Sequence, residues 1–206
     1  EESGSKNFFE WSVGSYEYVG KHPEEMKKIV ANVNLDVPAF GDTVLLRATP
    51  EMTTFVKEMV EDLDLETIFK VAKKPTTSTD HWSFVMRGVP SINFGLEVPA
   101  YEKIYHTNYD TPANVSHYLL EHSSRVALSL ISKLDSIDVL PYDFLPTAKK
   151  LEKDLFSRRI KTRGVTDIST LLRKTRKMKA LTQELKELKS RKVEKDVRSI
   201  NRSQLE

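Results

Sequence analysis

The sequence contains no cysteine among its 206 residues. Disulfide frameworks, thiolate zinc fingers, iron–sulfur clusters and cysteine nucleophiles are therefore excluded, and any metal would be bound by His, Asp and Glu. No apolar run approaches the ~18–20 residues of a membrane span, and repeats and low-complexity tracts are absent. A composition of 39% hydrophobic and 30% charged residues predicts a folded, soluble protein. The compartment stays unknown, because secreted proteins can also lack cysteine.

Charge is unevenly distributed along the chain. Residues 1–140 carry 13 Lys and Arg against 21 Asp and Glu, a net charge of −8, whereas residues 141–206 carry 19 against 9, a net charge of +10. Such a division predicts two units with different roles. We place the boundary between residues 140 and 141.

Hydrophobic periodicity predicts alternating strands and helices in residues 1–140. Apolar positions every three or four residues from Met52 to Leu63 are typical of one buried helix face. Alternating or short apolar runs predict strands at 31–36, 43–48, 68–72 and 90–94. Further helices are expected at 82–87, closed by Gly88, and from Thr111-Pro112 to about Leu134. The expected buried stripe of that last helix is Val115, Leu119, Val126, Leu130 and Leu134. The fold class predicted is α/β, a mixed sheet flanked by helices.

Polar side chains follow several of these strands. Asp36 ends the first, Asp80-His81 opens the loop before the short helix, and His106 lies beyond the strand at 90–94. The chain also begins with Glu1-Glu2. In open α/β sheets the carboxyl ends of strands form the site, and carboxylates with imidazole are ligands for a hard metal or zinc. Taken singly, each of these residues is more typical of a turn, a cap or a packed histidine.

The motifs EESGS at 1–5, NLD at 34–36, TDHWSF..RGVP at 79–90 and YHTNYDTPANV at 105–115 occur in this order. Together they resemble the second half of the co-catalytic zinc exopeptidases, the family of bacterial leucyl aminopeptidases, glutamate carboxypeptidase II and the transferrin receptor. The segment at 139–155 is similar to the start of the helical domain in the last two. The resemblance covers roughly residues 1–155.

The resemblance implies a site with two zinc ions that activate water and polarise a peptide carbonyl. It assigns Glu1 as the general base and acid, and Glu2, Asp36 and His106 as zinc ligands. Tyr105 either lies near the reacting carbonyl or only packs. Asp80 and His81 line the substrate cleft without binding metal, although Asp80 could instead cap the helix that follows. For Asp110 we expect a cap.

Two further ligands in this family, a His from an HxD motif and a bridging Asp, precede the Glu-Glu pair. We therefore expect this sequence to be a fragment of a longer enzyme, or to work with a separate N-terminal half, and to be inactive alone. Aminopeptidase and carboxypeptidase activity are not separable. The alternative is a catalytically dead, dimeric scaffold like the transferrin receptor, but such a scaffold has no reason to keep base and ligands together.

Residues 141–206 predict a basic, helical region. Pro141 and Pro146 bracket an expected linker, and helices are expected at 148–159 and from about 168 to 205. Met178, Leu181, Leu185 and Leu188 form a short heptad seam. A homodimer using this region is the favoured interpretation, with binding of a polyanion as the alternative. Single-stranded nucleic acid is disfavoured, since no aromatic residue follows Phe156.

Overall fold

The structure is a computed structural model that describes residues 12–72, 74–96, 104–105, 107–161 and 168–203, with side chains given to residue 158 and from 168 to 192. The chain divides into two compact units, Glu1–Leu140 and Pro141–Glu206. Each unit is described separately below.

A four-stranded mixed sheet forms the centre of the first unit. Its strands are β1 (Asn32–Leu35), β2 (Val44–Ala48), β3 (Phe69–Ala72) and β4 (Ser91–Gly95), in the spatial order β1-β4-β2-β3. β1 runs parallel to β4 and β2 parallel to β3, while β2 is antiparallel to β4. All four predicted strands are present, and the α/β fold class with a mixed sheet is confirmed.

The core of this unit lies around β4 and the helix α3 (Thr53–Asp62). Every residue of β4 is buried, as expected for a strand covered on both faces. Phe55, Val56, Met59 and Val60 of α3 are also buried, which confirms the predicted apolar face. A long helix, α5 (His117–Ser136), packs on α3 and is joined to it by an ion pair between Lys133 Nζ and Asp62 Oδ2 at 3.1 Å.

The predicted start of α5 is wrong. Thr111-Pro112 opens only a 3₁₀ turn, Pro112–Asn114, and the α-helix begins after Ser116, whose hydroxyl accepts a bond from the Leu119 N–H at 3.3 Å. The backbone N–H of Ser116 donates to the Ala39 carbonyl at 2.8 Å, which keeps this residue out of the helix. Asp110 is therefore not the cap, and Val115 is 38% exposed instead of buried.

Among the residues that the structure describes, the first unit also contains three short helices: α1 (Val13–Lys21), α2 (Pro23–Met26) and α4 (His81–Val85). The sequence analysis made no prediction for α1 and α2. α1 packs on α4, where the buried hydroxyls of Ser15 and Ser83 lie 3.1 Å apart. Gly88 follows α4 with a φ of +82°, a conformation that glycine adopts readily, and so ends the helix as predicted.

The second unit is a pair of packed helices, α6 (Leu145–Lys161) and α7 (Ser169–Ser203). Glu152 of α6 binds Lys179 at 2.6 Å and Arg176 at 3.2 Å, and these bonds hold the pKa of Glu152 below its usual value.

α6 starts earlier than predicted: Asp143 Oδ1 accepts from the Leu145 N–H at 2.9 Å. Pro146 then occupies the first turn, where proline is tolerated, so it does not end a linker. Within the described ranges, no helix has the length and apolar character needed to cross a membrane.

Candidate active site at the carboxyl ends of β1 and β4

Asp36 is placed at the edge of the sheet by the pairing of β1 with β4. The parallel register sets Leu35 opposite Phe94, so Asp36 leaves β1 beside Gly95 at the end of β4. The N–H of Val37 donates to the Phe94 carbonyl at 2.9 Å and fixes this exit. The Asp36 side chain is exposed. Asp36 thus lies at a strand end, where sites form in open α/β sheets, and its role as a metal ligand stays a prediction.

A pair of amides holds the two strands in this register. Asn34 Nδ2 donates to Asn93 Oδ1 at 2.7 Å, and Asn93 is only 1% exposed. A Cβ added at Gly95 would lie 3.0 Å from Asn93 Nδ2, closer than an ordinary contact. The absence of a side chain at Gly95 therefore leaves the amide pair undisturbed, one residue before β1 ends and two residues before β4 ends.

Tyr105 belongs to a chain of turns that follows β4. Its neighbour Ile104 accepts two bonds from Thr107, one from the backbone N–H at 3.0 Å and one from the hydroxyl at 2.7 Å. The Tyr105 side chain is 41% exposed, so it is accessible to a substrate. Glu1, Glu2 and His106, the other predicted catalytic and metal residues, lie outside the described residues, and their assignments stay predictions.

Asp80 occupies the position before the first turn of α4 but does not cap it, since its side chain makes no bond to the helix N–H groups. Its Oδ1 atom is buried and lacks a hydrogen-bond partner. Buried carboxylate oxygens are normally paired. The capping interpretation thus lacks the hydrogen bond that it requires. A buried Oδ1 atom without a partner is instead consistent with a residue of the substrate cleft, where a substrate could donate to it.

His81 is fully buried, with 0% of its surface exposed. Its Nδ1 atom is hydrogen-bonded to the Thr79 hydroxyl, and its Nε2 atom is buried without a partner. Burial lowers the pKa of His81 to about 4, against a smaller opposing effect of the Asp80 carboxylate. The imidazole is therefore neutral at pH 7. Contact of His81 with a substrate stays a prediction.

A cleft opens beside Asp80, between α1, β1 and α4. Asn32 lies in this cleft and resembles Asp80 in one respect, because its Oδ1 atom is also buried without a hydrogen-bond partner. The sequence analysis did not single out Asn32, and a lone asparagine at a strand start carries no signal that could have done so. The cleft is lined by Gly14, Ser15, Tyr18, Ile29, Ala31, Asn32, Asn34, Asp80 and Phe84.

The predicted ligand set fits zinc in its chemistry. Carboxylate oxygens and an imidazole nitrogen are ordinary zinc ligands, and Asp36 is exposed at the expected strand end. Among the described residues alone, no three His, Asp or Glu side chains form a group that could hold a metal ion. The other two predicted ligands, Glu2 and His106, lie outside the described residues, and the predicted set of three stays a prediction.

Comparison with protein families identifies the chain. The sequence profile of peptidase family M28 matches residues 1–131. The chain belongs to peptidase family M28. Its membership confirms the predicted resemblance, because this family is a group of co-catalytic zinc peptidases. A comparison with curated proteins gave no match.

Solved structures share the fold of this M28 chain. A glutaminyl cyclase from an Acidobacteriales bacterium matches with a TM-score of 0.55 and 21% identity, over 65% of this chain and 49% of the cyclase. The LapA aminopeptidase of Legionella pneumophila matches with a TM-score of 0.52 and 17% identity, over 61% of this chain and 36% of the aminopeptidase. A glutaminyl cyclase from Porphyromonas gingivalis matches with a TM-score of 0.50 and 18% identity, over 63% of this chain and 51% of that protein. This M28 chain thus spans about half, or less, of each of these three structures.

Proposed function

We propose that this M28 chain supplies one side of the active site of a zinc-dependent exopeptidase, which hydrolyses terminal peptide bonds. The observation that carries the proposal is the parallel pairing of β1 with β4, which brings Asp36 to the edge where β4 ends. The segment after β4 contains Tyr105 and His106. Family membership supports the same location and a metal-dependent peptidase chemistry.

Asp36, Glu2 and His106 would hold zinc at this edge. The chemistry that zinc supplies when bound is polarisation of the peptide carbonyl and activation of water at neutral pH. Glu1 accepts the proton of the attacking water and delivers it to the amine that leaves, as a general base and then a general acid. Turnover would thus depend on Glu1, although Glu1 would not bind the metal.

Tyr105 and Asp80 would act on the substrate. Tyr105 is 41% exposed, and its hydroxyl would donate a hydrogen bond to the peptide carbonyl, where negative charge develops during attack. The unpaired Oδ1 atom of Asp80 can accept a bond from a substrate N–H group. The aminopeptidase among the matched structures is compatible with this assignment, but its 17% identity indicates a shared fold alone. Cleavage at the amino or the carboxyl terminus therefore stays open.

Metal binding by the protein that contains this chain together with the upstream half tests the site independently of activity. In that protein, Asp36→Asn, Glu2→Gln and His106→Ala should each reduce the zinc retained after dialysis, measured by mass spectrometry of the metal. Asp42→Asn provides a matched control, because Asp42 is another exposed aspartate in the same β1–β2 connection. Equal zinc content in Asp36→Asn and Asp42→Asn would remove Asp36 from the ligand set.

Glu1→Gln separates proton transfer from metal binding. In the active protein that contains this chain, we expect the variant to keep its zinc and to lose turnover by about 10²- to 10⁴-fold, the usual contribution of a positioned proton-transfer group. Peptides blocked at one terminus or the other, assayed in parallel, show which end is cleaved. Full turnover in a zinc-loaded Glu1→Gln variant would assign the proton to another residue. Absence of any peptidase activity with zinc bound would favour the scaffold alternative.

A further inference from the structure

The cleft between α1, β1 and α4 contains hydrogen-bond acceptors to which no described residue donates. Asn32 Oδ1 and Asp80 Oδ1 are both buried without a partner. The two residues belong to different elements, since Asn32 begins β1 and Asp80 precedes α4. Two such oxygens in one cleft are uncommon, because nearly all buried polar atoms in proteins are hydrogen-bonded.

The hydroxyl groups that line this cleft already donate to other parts of the protein. The Ser15 hydroxyl donates to the Ser12 carbonyl at 3.0 Å. The Tyr18 hydroxyl donates to Glu25 Oε2, also at 3.0 Å. Each hydroxyl has a single hydrogen to donate, so neither serves the acceptors of the cleft.

The polar side chains of the sheet beneath the cleft are engaged in the same way. Ser91 lies opposite Asn32 in the pairing of β1 with β4, but its hydroxyl donates to the Val89 carbonyl at 2.9 Å. The amide of Asn34, two residues along the same face of β1, donates to Asn93 Oδ1 at 2.7 Å. The hydrogen-bonding capacity that remains in the cleft is therefore for a ligand that donates.

Charge and aromatic surface add to this preference. Asp80 is the one charged side chain among the described residues that line the cleft, and it is negative. Tyr18 and Phe84 form part of the same wall, with ring centroids 6.0 Å apart and an angle of 34° between the ring planes. The faces of aromatic rings attract cations. The cleft thus favours a ligand group that is positively charged.

Ammonium and guanidinium groups are the side-chain groups of proteins that carry positive charge, donate several hydrogen bonds and accept none. A guanidinium group is planar, so it can stack on an aromatic ring while its fork of N–H groups reaches acceptors on two sides. An ammonium group is compact and strongly hydrated, and it lacks this flat surface. Acceptors on two elements beside two rings therefore fit the guanidinium group better.

We propose that this cleft binds the guanidinium group of an arginine side chain, with Asp80 and Asn32 as acceptors and Tyr18 and Phe84 as aromatic neighbours. The cleft has a volume of about 560 Å³, within the range of about 300–1,000 Å³ typical of small-ligand sites. That the arginine belongs to a peptide substrate rests on the proposed function, whereas binding of the side chain itself does not. Peptides that contain arginine are then the preferred substrates.

A blocked arginine tests binding without catalysis. Nα-acetyl-L-argininamide has no free terminus for an exopeptidase to attack, and the citrulline analogue has the same shape without the charge. Isothermal titration calorimetry would use the protein that contains this chain together with the upstream half. The arginine compound should bind about tenfold more tightly than the citrulline compound, or better, because a charged donor forms the stronger bonds. Equal affinities would overturn the proposal, as would tighter binding of the corresponding lysine compound.

Two substitutions separate the site from the fold. Asp80→Asn keeps the shape and an oxygen acceptor but removes the charge, so the preference for arginine over citrulline should disappear. Asn32→Val removes an oxygen that has no partner, so it should weaken arginine binding about tenfold without lowering the midpoint of urea unfolding. Asp135→Asn, at an exposed position of α5, should change neither property. An Asn32→Val variant that binds arginine normally but unfolds at lower urea would assign this oxygen to the fold and overturn the proposal.

Peptide cleavage distinguishes failure of the cleft from failure of the proposed function. Peptides would carry arginine or citrulline at the first or second position from either end. At one of these positions kcat/KM should be about tenfold higher for arginine, and Asp80→Asn should abolish the difference. Cleavage without this preference, together with no binding of the blocked arginine, would overturn the cleft assignment and leave the peptidase proposal intact. Binding of the blocked arginine without cleavage of any peptide would support the cleft and contradict the peptidase proposal.

Discussion

Replacement of His81 by glutamine should remove a large part of the acid sensitivity of the first unit. His81 is fully buried, and burial lowers its pKa from an ordinary value of 6.5 to about 4. As pH falls below 6.5, the unfolded chain binds a proton at this residue before the folded chain does, so the free energy of unfolding decreases. The decrease continues until the pH reaches about 4 and then stops.

The size of the effect follows from the two pKa values. Between pH 7.5 and pH 5.0, the difference in proton binding at this residue amounts to about 2 kcal/mol of lost stability. Glutamine does not titrate in this range, and its amide can still be hydrogen-bonded to the Thr79 hydroxyl. We therefore expect the free energy of unfolding to fall by about 2 kcal/mol more in wild type than in His81→Gln over this interval. This difference does not depend on how far the substitution changes the free energy of unfolding at neutral pH.

Urea denaturation at pH 7.5 and pH 5.0 measures this difference. Tryptophan fluorescence reports the first unit, because both tryptophans, Trp11 and Trp82, belong to it. His117→Gln serves as the control for loss of a histidine at an exposed position. An equal loss of stability in wild type and His81→Gln would refute the reasoning, as would an NMR titration of His81 with a midpoint near 6.5.

Two matched pairs extend the test to other parts of the first unit. Ser123→Ala should destabilise the protein by about 1–2 kcal/mol in urea denaturation, since the buried Ser123 hydroxyl donates to the Pro38 carbonyl at 2.6 Å. Ser124→Ala, on the exposed side of the same helix, should change stability by less than about 0.5 kcal/mol, and equal losses would contradict the assigned burial. Gly20→Ala should raise the melting temperature, because Gly20 lies in α1 with open space at its Cβ position and alanine favours helix by about 1 kcal/mol. Gly88→Ala should lower it, because Gly88 has a φ of +82°, and a gain at Gly88 would show that this conformation is relaxed.

The elements that the sequence predicted well are those whose signal is local. The helix from Met52 onward repeats its apolar residues every three or four positions over several turns, and its predicted face is the one that is buried. The strands β1 and β4 were predicted from alternating or short apolar runs at 31–36 and 90–94. Their predicted ends were accurate enough to place Asp36 at the edge of the sheet.

The errors arise where a distant contact decides the outcome. Thr111-Pro112 has the pattern of a helix start, but the bond from Ser116 to the Ala39 carbonyl delays the helix. No local pattern contains a hydrogen bond to a residue so far away in the chain. For the same reason no local pattern indicated that Asn32 and Asp80 would both keep buried oxygens without hydrogen-bond partners in one cleft. Glu2 and His106 stay predictions, and metal analysis of their variants is the direct test.

The amide pair between Asn34 and Asn93 has a consequence for how this site can assemble at all. Side chains alternate between the two faces of a strand, so a slip of one residue between β1 and β4 would turn every side chain of the moved strand to the opposite face. Asparagine contributes little to stability in a sheet, but a buried amide without its partner is costly. A slip of one residue would bring Val33 or Leu35 opposite Asn93 and leave its amide without this partner, whereas the observed register satisfies it. The amide pair therefore disfavours a one-residue slip and so favours the register that presents Asp36 at the end of β4.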